Sequence, residues 1–113
     1  MGENITFRVQ GERSFETSST SITVGTLSSC SIALRDPVAS EEHCRIAWEQ
    51  GRFLVEDLAS ATGTYVNGVA LEGRTPLAAG DVLVVGVSRL LIGALGTSTA
   101  PLLELSVEEA AFH

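Results

Sequence analysis

Lysine is absent: all seven basic residues are arginines, set against fourteen acids for a formal net charge of −7. A surface of that sign repels a phosphate backbone, so nucleic acid is not an expected partner. Long apolar runs are missing as well. Those present, such as Val82 to Val85 and Leu90 to Ile92, fall far short of the ~20 residues a membrane-crossing helix needs, and no membrane insertion of this chain is expected. Met1 to Thr6 has neither a basic start nor an apolar stretch, so nothing there reads as a secretory signal, and the expected location is cytoplasmic. Cysteine is scarce, with Cys30 and Cys44 alone. Without a secretory signal this pair is expected to stay reduced. A metal site is not expected either, because His43 and Cys44 are adjacent in an expected strand and would point to opposite faces. The all-arginine, alanine-rich composition suits a GC-rich bacterial genome.

What is present is a chain of 113 residues, 44% hydrophobic and 19% charged, which is the balance and size of one globular domain with one core. Short apolar alternations recur, each ended by a turn former, as in an all-β sandwich and unlike helices. Ile5, Phe7 and Val9 alternate ahead of Gly11. Ile22 and Val24 precede Gly25, and Ile32 and Leu34 precede Asp36-Pro37. Cys44, Ile46 and Trp48 share a face, and Glu49-Gln50-Gly51-Arg52 then turns the chain into Phe53, Val55 and Leu58. Asn67-Gly68 after Thr64-Tyr65-Val66 marks a second hairpin, since both residues tolerate the positive φ of a type I′ turn. Val82 to Val85, an interruption at Gly86, and Leu90 to Leu95 supply the last strands before Gly96.

The boundary is therefore expected at Gly96, with a domain over residues 1–96 and a linker or tail over residues 97–113. Gly96 to Pro101 has linker composition, and Ser106-Val107-Glu108-Glu109 resembles a helix-capping box.

From Val24 onward the order of motifs resembles the forkhead-associated (FHA) domain family. The resemblance runs through Val24-Gly25, Ile32-Ala33-Leu34, Asp36-Pro37, Ser40-Glu41-Glu42-His43, Asp57-Leu58-Ala59-Ser60, Gly63-Thr64-Tyr65-Val66-Asn67-Gly68, Leu77, Gly80-Asp81 and Val85-Gly86. Several linked motifs in order are more specific than any one of them. The resemblance implies an all-β, FHA-like twisted β-sandwich of roughly eleven strands with binding loops at one end. It also implies a protein-protein interaction module, with phosphothreonine peptides as the family's usual ligand and no cofactor.

Carried over position by position, the resemblance places phosphopeptide-binding loops at Thr26, Ser40, Glu41, Ala61 and Thr62, and structural loop support at Gly25, His43 and Gly63. A phosphate dianion is best held by the planar fork of arginine together with hydroxyl and backbone donors. The family's arginine position holds Thr26, its often basic or amidic position holds Glu41 with Glu42 beside it, and its peptide-gripping asparagine is Thr62. Ala61 stands where Thr or Ser is frequent. Ser40 remains open between contacting phosphate and capping its loop, with capping favoured. His43 reads as a buried histidine bonded to the neighbouring loop. Arg35 is the further cation placed to compensate for Thr26, against the simpler reading of a solvated arginine paired with Asp36 or Glu41.

No catalytic residues are expected, because Ser40 and His43 lack a nucleophile-elbow setting and the family match explains their spacing. Gly63 to Gly68 lacks the Gly-Lys-Ser/Thr ending of a nucleotide-binding loop. Trp48 and Phe53 read as core residues on alternating faces of a hairpin, and Tyr65 as the surface aromatic. The leading functional expectation is a phosphate-independent adaptor or regulatory module. Weak phosphothreonine-peptide binding in bacterial signalling is the first alternative, and self-association through an exposed strand edge within a larger assembly is the second.

Overall fold

Apolar side chains at every second position give the chain its strands, and two-residue turns with positive φ reverse them. A computed structural model describes residues 4–7, 12–95 and 103–108. In these, β1 (Asn4–Phe7), β2 (Glu12–Thr17), β3 (Ser21–Gly25), β4 (Ile32–Ala33), β5 (Cys44–Glu49) and β6 (Arg52–Asp57) make up the first half. They are followed by β7 (Thr64–Val66), β8 (Val69–Ala70), β9 (Thr75–Pro76), β10 (Val82–Val85), β11 (Ser88–Leu95) and β12 (Leu103–Glu108). A seven-stranded sheet has the order β1-β2-β12-β11-β10-β7-β8 and a five-stranded sheet the order β4-β3-β5-β6-β9. The strands pair antiparallel except β3 with β4. This is the all-β sandwich the motifs implied.

The core lies between the sheets. Ile22, Val24, Cys44, Ile46, Phe53 and Val55 from the smaller sheet meet Leu83, Val85, Leu90, Ile92, Leu103, Leu105 and Val107 from the larger one. Each buried aliphatic or aromatic side chain is worth roughly 1.5–3 kcal/mol of transfer free energy, so the two alternating faces are what hold the sheets together.

The expected turns form. Gln50 and Gly51 have φ of 54° and 80°, and Asn67 and Gly68 have φ of 51° and 85°, both type I′-like and matched to strand twist. Gly86, at φ +64°, takes the first position of the two-residue turn between β10 and β11. Trp48 and Phe53 do not lie on alternating faces: they are cross-strand partners, with ring centroids 4.8 Å apart and planes at 69°. Residues directly opposite in an antiparallel pair share a face.

Three strands were not expected, among them the two-residue β9, which pairs with β6. β2 carries a sequence, Glu-Arg-Ser-Phe-Glu-Thr, with a single apolar residue, Phe15, which is buried. β12 falls in the segment read as a tail, and Ser106 caps no helix. Leu103, Leu105 and Val107 alternate inward with relative exposures of 0%, 3% and 0%, and β12 pairs with both β11 and β2. The sandwich therefore does not end at Gly96, because without β12 the β1-β2 hairpin has no neighbour in the sheet. Val9, Gly11, Gly96, the linker-like stretch to Pro101 and Glu109 lie outside the described residues.

Candidate functional site

Four connections gather at one end of the sandwich: β3 to β4, β4 to β5, β6 to β7, and the β10-β11 turn. They are tied by backbone bonds, including Thr26 N to Ser40 O (3.2 Å), Leu27 N to Glu41 O (3.3 Å), Leu34 N to Gly25 O (2.7 Å) and His43 N to Val24 O (2.8 Å). Gly25 is required by this close approach, since a Cβ there would sit 2.0 Å from the Glu41 carbonyl oxygen. Its role is steric, not conformational.

Beneath the tips lie three polar side chains with their bonds largely satisfied. His43 is fully buried. The Ser40 amide donates to its Nδ1 (3.0 Å), which leaves Nε2 to carry the proton and donate to the Gly63 carbonyl (2.8 Å). The ring thereby fixes the β4-β5 loop to the β6-β7 loop. Asp36 accepts from the amides of Val38 (2.8 Å), Ala39 (3.0 Å) and Val87 (2.9 Å) and from the Ser88 hydroxyl (2.6 Å). Burial opposes its ionisation, but the Ser88 hydroxyl and the three amides outweigh it and hold the carboxyl below its ordinary range. A Cβ at Gly86 would come within 2.6 Å of Asp36 Oδ1, so the turn can close on this carboxylate only without a side chain.

Asp57 does the same for the third loop. It accepts from the Ser60 amide (2.9 Å), the Ser60 hydroxyl (2.5 Å) and the Thr64 hydroxyl (2.7 Å). Burial pushes its carboxyl upward, and these donors, with His43 nearby, more than reverse the push. Ala59, inside this turn, takes a positive φ of 56°. Both cysteines are free and buried. Burial and the Asp57 charge push the Cys44 thiol up to about 12, so it behaves as core.

The tips themselves are different. The Ser40 hydroxyl accepts from the Ala61 amide (3.0 Å), bridging the β4-β5 and β6-β7 loops. Glu41, Glu42, Ala61 and Thr62 are exposed, and Thr26 is half-buried. Thr26 and Arg35 line one open groove of about 530 Å³ together with Leu34, Asp36 and Pro37. The structure thus brings Gly25, Thr26, Arg35, Ser40, Glu41, His43, Ala61, Thr62 and Gly63 to one end of the molecule. The cross-loop role of Asp36 and the within-loop role of Asp57 were not assigned from sequence, although Asp-Pro and Asp-x-x-Ser are the local signature of a carboxylate that bonds its own turn.

The FHA domain family model matches residues 22–86, which is more than half of the chain, contains three of these four connections and reaches the first residue of the fourth, Gly86. The chain belongs to the FHA family. FHA domains are interaction modules that bind protein partners, typically phosphothreonine peptides, and are not enzymes. The FHA domain-containing protein At4g14490 of Arabidopsis thaliana is 39% identical over 57 residues, covering 49% of this chain and 15% of that protein. The chain therefore spans only a small part of that relative. Among solved structures, an FHA domain studied for phosphothreonine-dependent FHA domain interactions is 26% identical with a TM-score of 0.58, covering 83% of this chain and 81% of its own. The FHA domain of the CT664 protein from Chlamydia trachomatis is 27% identical with a TM-score of 0.58, covering 82% and 80% respectively.

Proposed function

We propose that this FHA domain docks a protein partner at its loop end without requiring phosphothreonine, as an adaptor or regulatory module. The observation that carries the reading is the composition of the tips. Thr26 stands where the resemblance expects a cation, and the Ser40 hydroxyl already accepts the Ala61 amide at 3.0 Å. Glu41 and Glu42 present carboxylates to solvent beside it. Charge-assisted hydrogen bonds contribute about 1.5–3 kcal/mol each, so loss of the arginine alone weakens phosphate binding by roughly one to two orders of magnitude. Arg35 lines the same groove as Thr26. It is the residue through which phosphate affinity would return, and Arg35→Ala would then abolish it.

Calorimetry with an oriented phosphothreonine peptide library tests the reading. No binding tighter than about 100 μM is expected. Micromolar binding that vanishes on dephosphorylation and in Ser40→Ala overturns it and restores the phosphopeptide reading. Self-association is the weaker alternative. Of the larger sheet's two edges, β8 offers only Val69 and Ala70, with Val69 69% exposed, and β1 only Asn4–Phe7, and edges that short are poor templates for pairing. Light scattering across a concentration series is expected to show a monomer.

A further inference from the structure

The loop end carries an apolar surface as well as a charge imbalance. The shallow open groove between Thr26 and Pro37 is lined by Thr26, Leu34, Arg35, Asp36 and Pro37, and its surface is mainly apolar. Val38, which follows Pro37 in the chain, and Val87 have 41% and 45% of their surface exposed, and the amides of both bond to the same carboxylate, Asp36, which lines the groove. Two exposed valines whose amides share one buried carboxylate add apolar surface to the same cluster of loops. Around it, residues 26–43, 57–63 and 86–88 contain one arginine, Arg35, against four carboxylates, Asp36, Glu41, Glu42 and Asp57. The backbone bonds from Thr26 N to the Ser40 carbonyl (3.2 Å) and from Leu27 N to the Glu41 carbonyl (3.3 Å) bring the segment that carries the exposed Glu41 and Glu42 alongside Thr26.

Apolar walls favour an aliphatic side chain, and the surplus of carboxylates favours cationic neighbours on the same segment. We infer that the loop end takes an unphosphorylated peptide segment in which a bulky aliphatic residue, seated against the Thr26–Pro37 groove and Val38, is flanked by arginine or lysine facing Glu41 and Glu42. The inference rests on the phosphate-independent reading above and names its ligand chemistry. A phosphothreonine would bring two negative charges against the same carboxylates.

The test uses the intact chain and three fluorescein-labelled degenerate peptide pools with a fixed central leucine, read by fluorescence anisotropy. One pool has Arg/Lys flanks, one has Asp/Glu flanks, and one carries phosphothreonine among neutral residues. The Arg/Lys pool is expected to bind most tightly. Its affinity should fall about ten-fold or more as salt rises from 0.1 M to 1 M, where the screening length drops from ~10 Å to ~3 Å. The double variant Glu41→Lys/Glu42→Lys should lose about ten-fold for this pool and gain for the acidic one, and Val38→Asp should lose about ten-fold. Val69→Asp, beyond the Asn67-Gly68 turn, should change nothing. All four altered side chains are exposed, and unchanged thermal melts would show that the variants fold. Equal binding of the acidic pool, indifference to Glu41→Lys/Glu42→Lys, or no binding of any pool overturns the inference while leaving the phosphate-independent reading in place. Preferential binding of the phosphothreonine pool overturns both.

Discussion

The loop end has two layers, and they differ in what the sequence has kept. In the inner layer, Gly25, Asp36, His43, Asp57 and Gly86 are fitted to specific partners, Asp36 and His43 across loops far apart in sequence and Asp57 within its own loop. In the outer layer, Thr26, Glu41 and Ala61 are tied through their backbones, and the side chains at these positions and at Thr62 depart from what a phosphate-reading loop requires. The inner layer makes loops of FHA shape whatever they bind, whereas the outer layer decides what is bound. A domain can keep its family's geometry and change its ligand because these tasks fall on different atoms.

The sharpest way to break the inner layer is Gly25→Ala. With its Cβ 2.0 Å from the Glu41 carbonyl, the backbone of two tied segments must separate, and a loss of about 4 kcal/mol or more is expected in urea unfolding. His43→Ala comes next. It leaves the Ser40 amide and the Gly63 carbonyl without their partner and opens a cavity, for an expected loss of about 3 kcal/mol in the same measurement.

Acid should act on the same layer more gradually. Asp36 and Asp57 both have carboxyls held below the ordinary range in the folded state. Their contribution is therefore full above the unfolded value of about 3.9 and is lost as pH falls through the lower folded values. Thermal melts between about pH 6 and pH 2 should show stability declining below about pH 5, and Asp36→Asn/Asp57→Asn should be less stable at pH 6 but flatter across the range. The outer layer should behave oppositely. Thr26→Arg is expected to alter stability by no more than about 0.5 kcal/mol while raising phosphothreonine-peptide affinity roughly ten-fold in calorimetry. A large loss of stability with no gain in affinity would mean that the two layers are not separable.

Much of the sandwich was legible because alternation and turn chemistry are local. Ile22 and Val24, Cys44 and Ile46, and Phe53 and Val55 mark their strands unaided, and Gln50-Gly51 and Asn67-Gly68 mark their turns. β2 was not legible because Phe15 is its single apolar residue, and a strand held by its neighbours needs little pattern of its own. β12 was misread for a different reason. Ser106 and Glu109 form a capping pattern, whereas Leu103, Leu105 and Val107 form the alternation that prevails once two neighbouring strands supply hydrogen bonds on both sides. In the loops, the motif order located the residues, but the partners of Asp36 did not follow from it: Ser88 is 52 residues away in sequence. The pairing of Val38 with Val87 was hidden for the same reason, since it exists only after distant turns meet on one carboxylate.

The direction of β12 carries a consequence of its own. Glu108 pairs with Arg89, next to the Ser88 that bonds Asp36, so β12 has its last residue at the end of the larger sheet that holds the loops. A segment joined after Glu108 begins its search beside the groove instead of a sandwich length away. Tethers that short hold their cargo at effective concentrations in the millimolar range. A ligand too weak to bind from free solution would then occupy the groove for much of the time, and a competing partner would have to displace it.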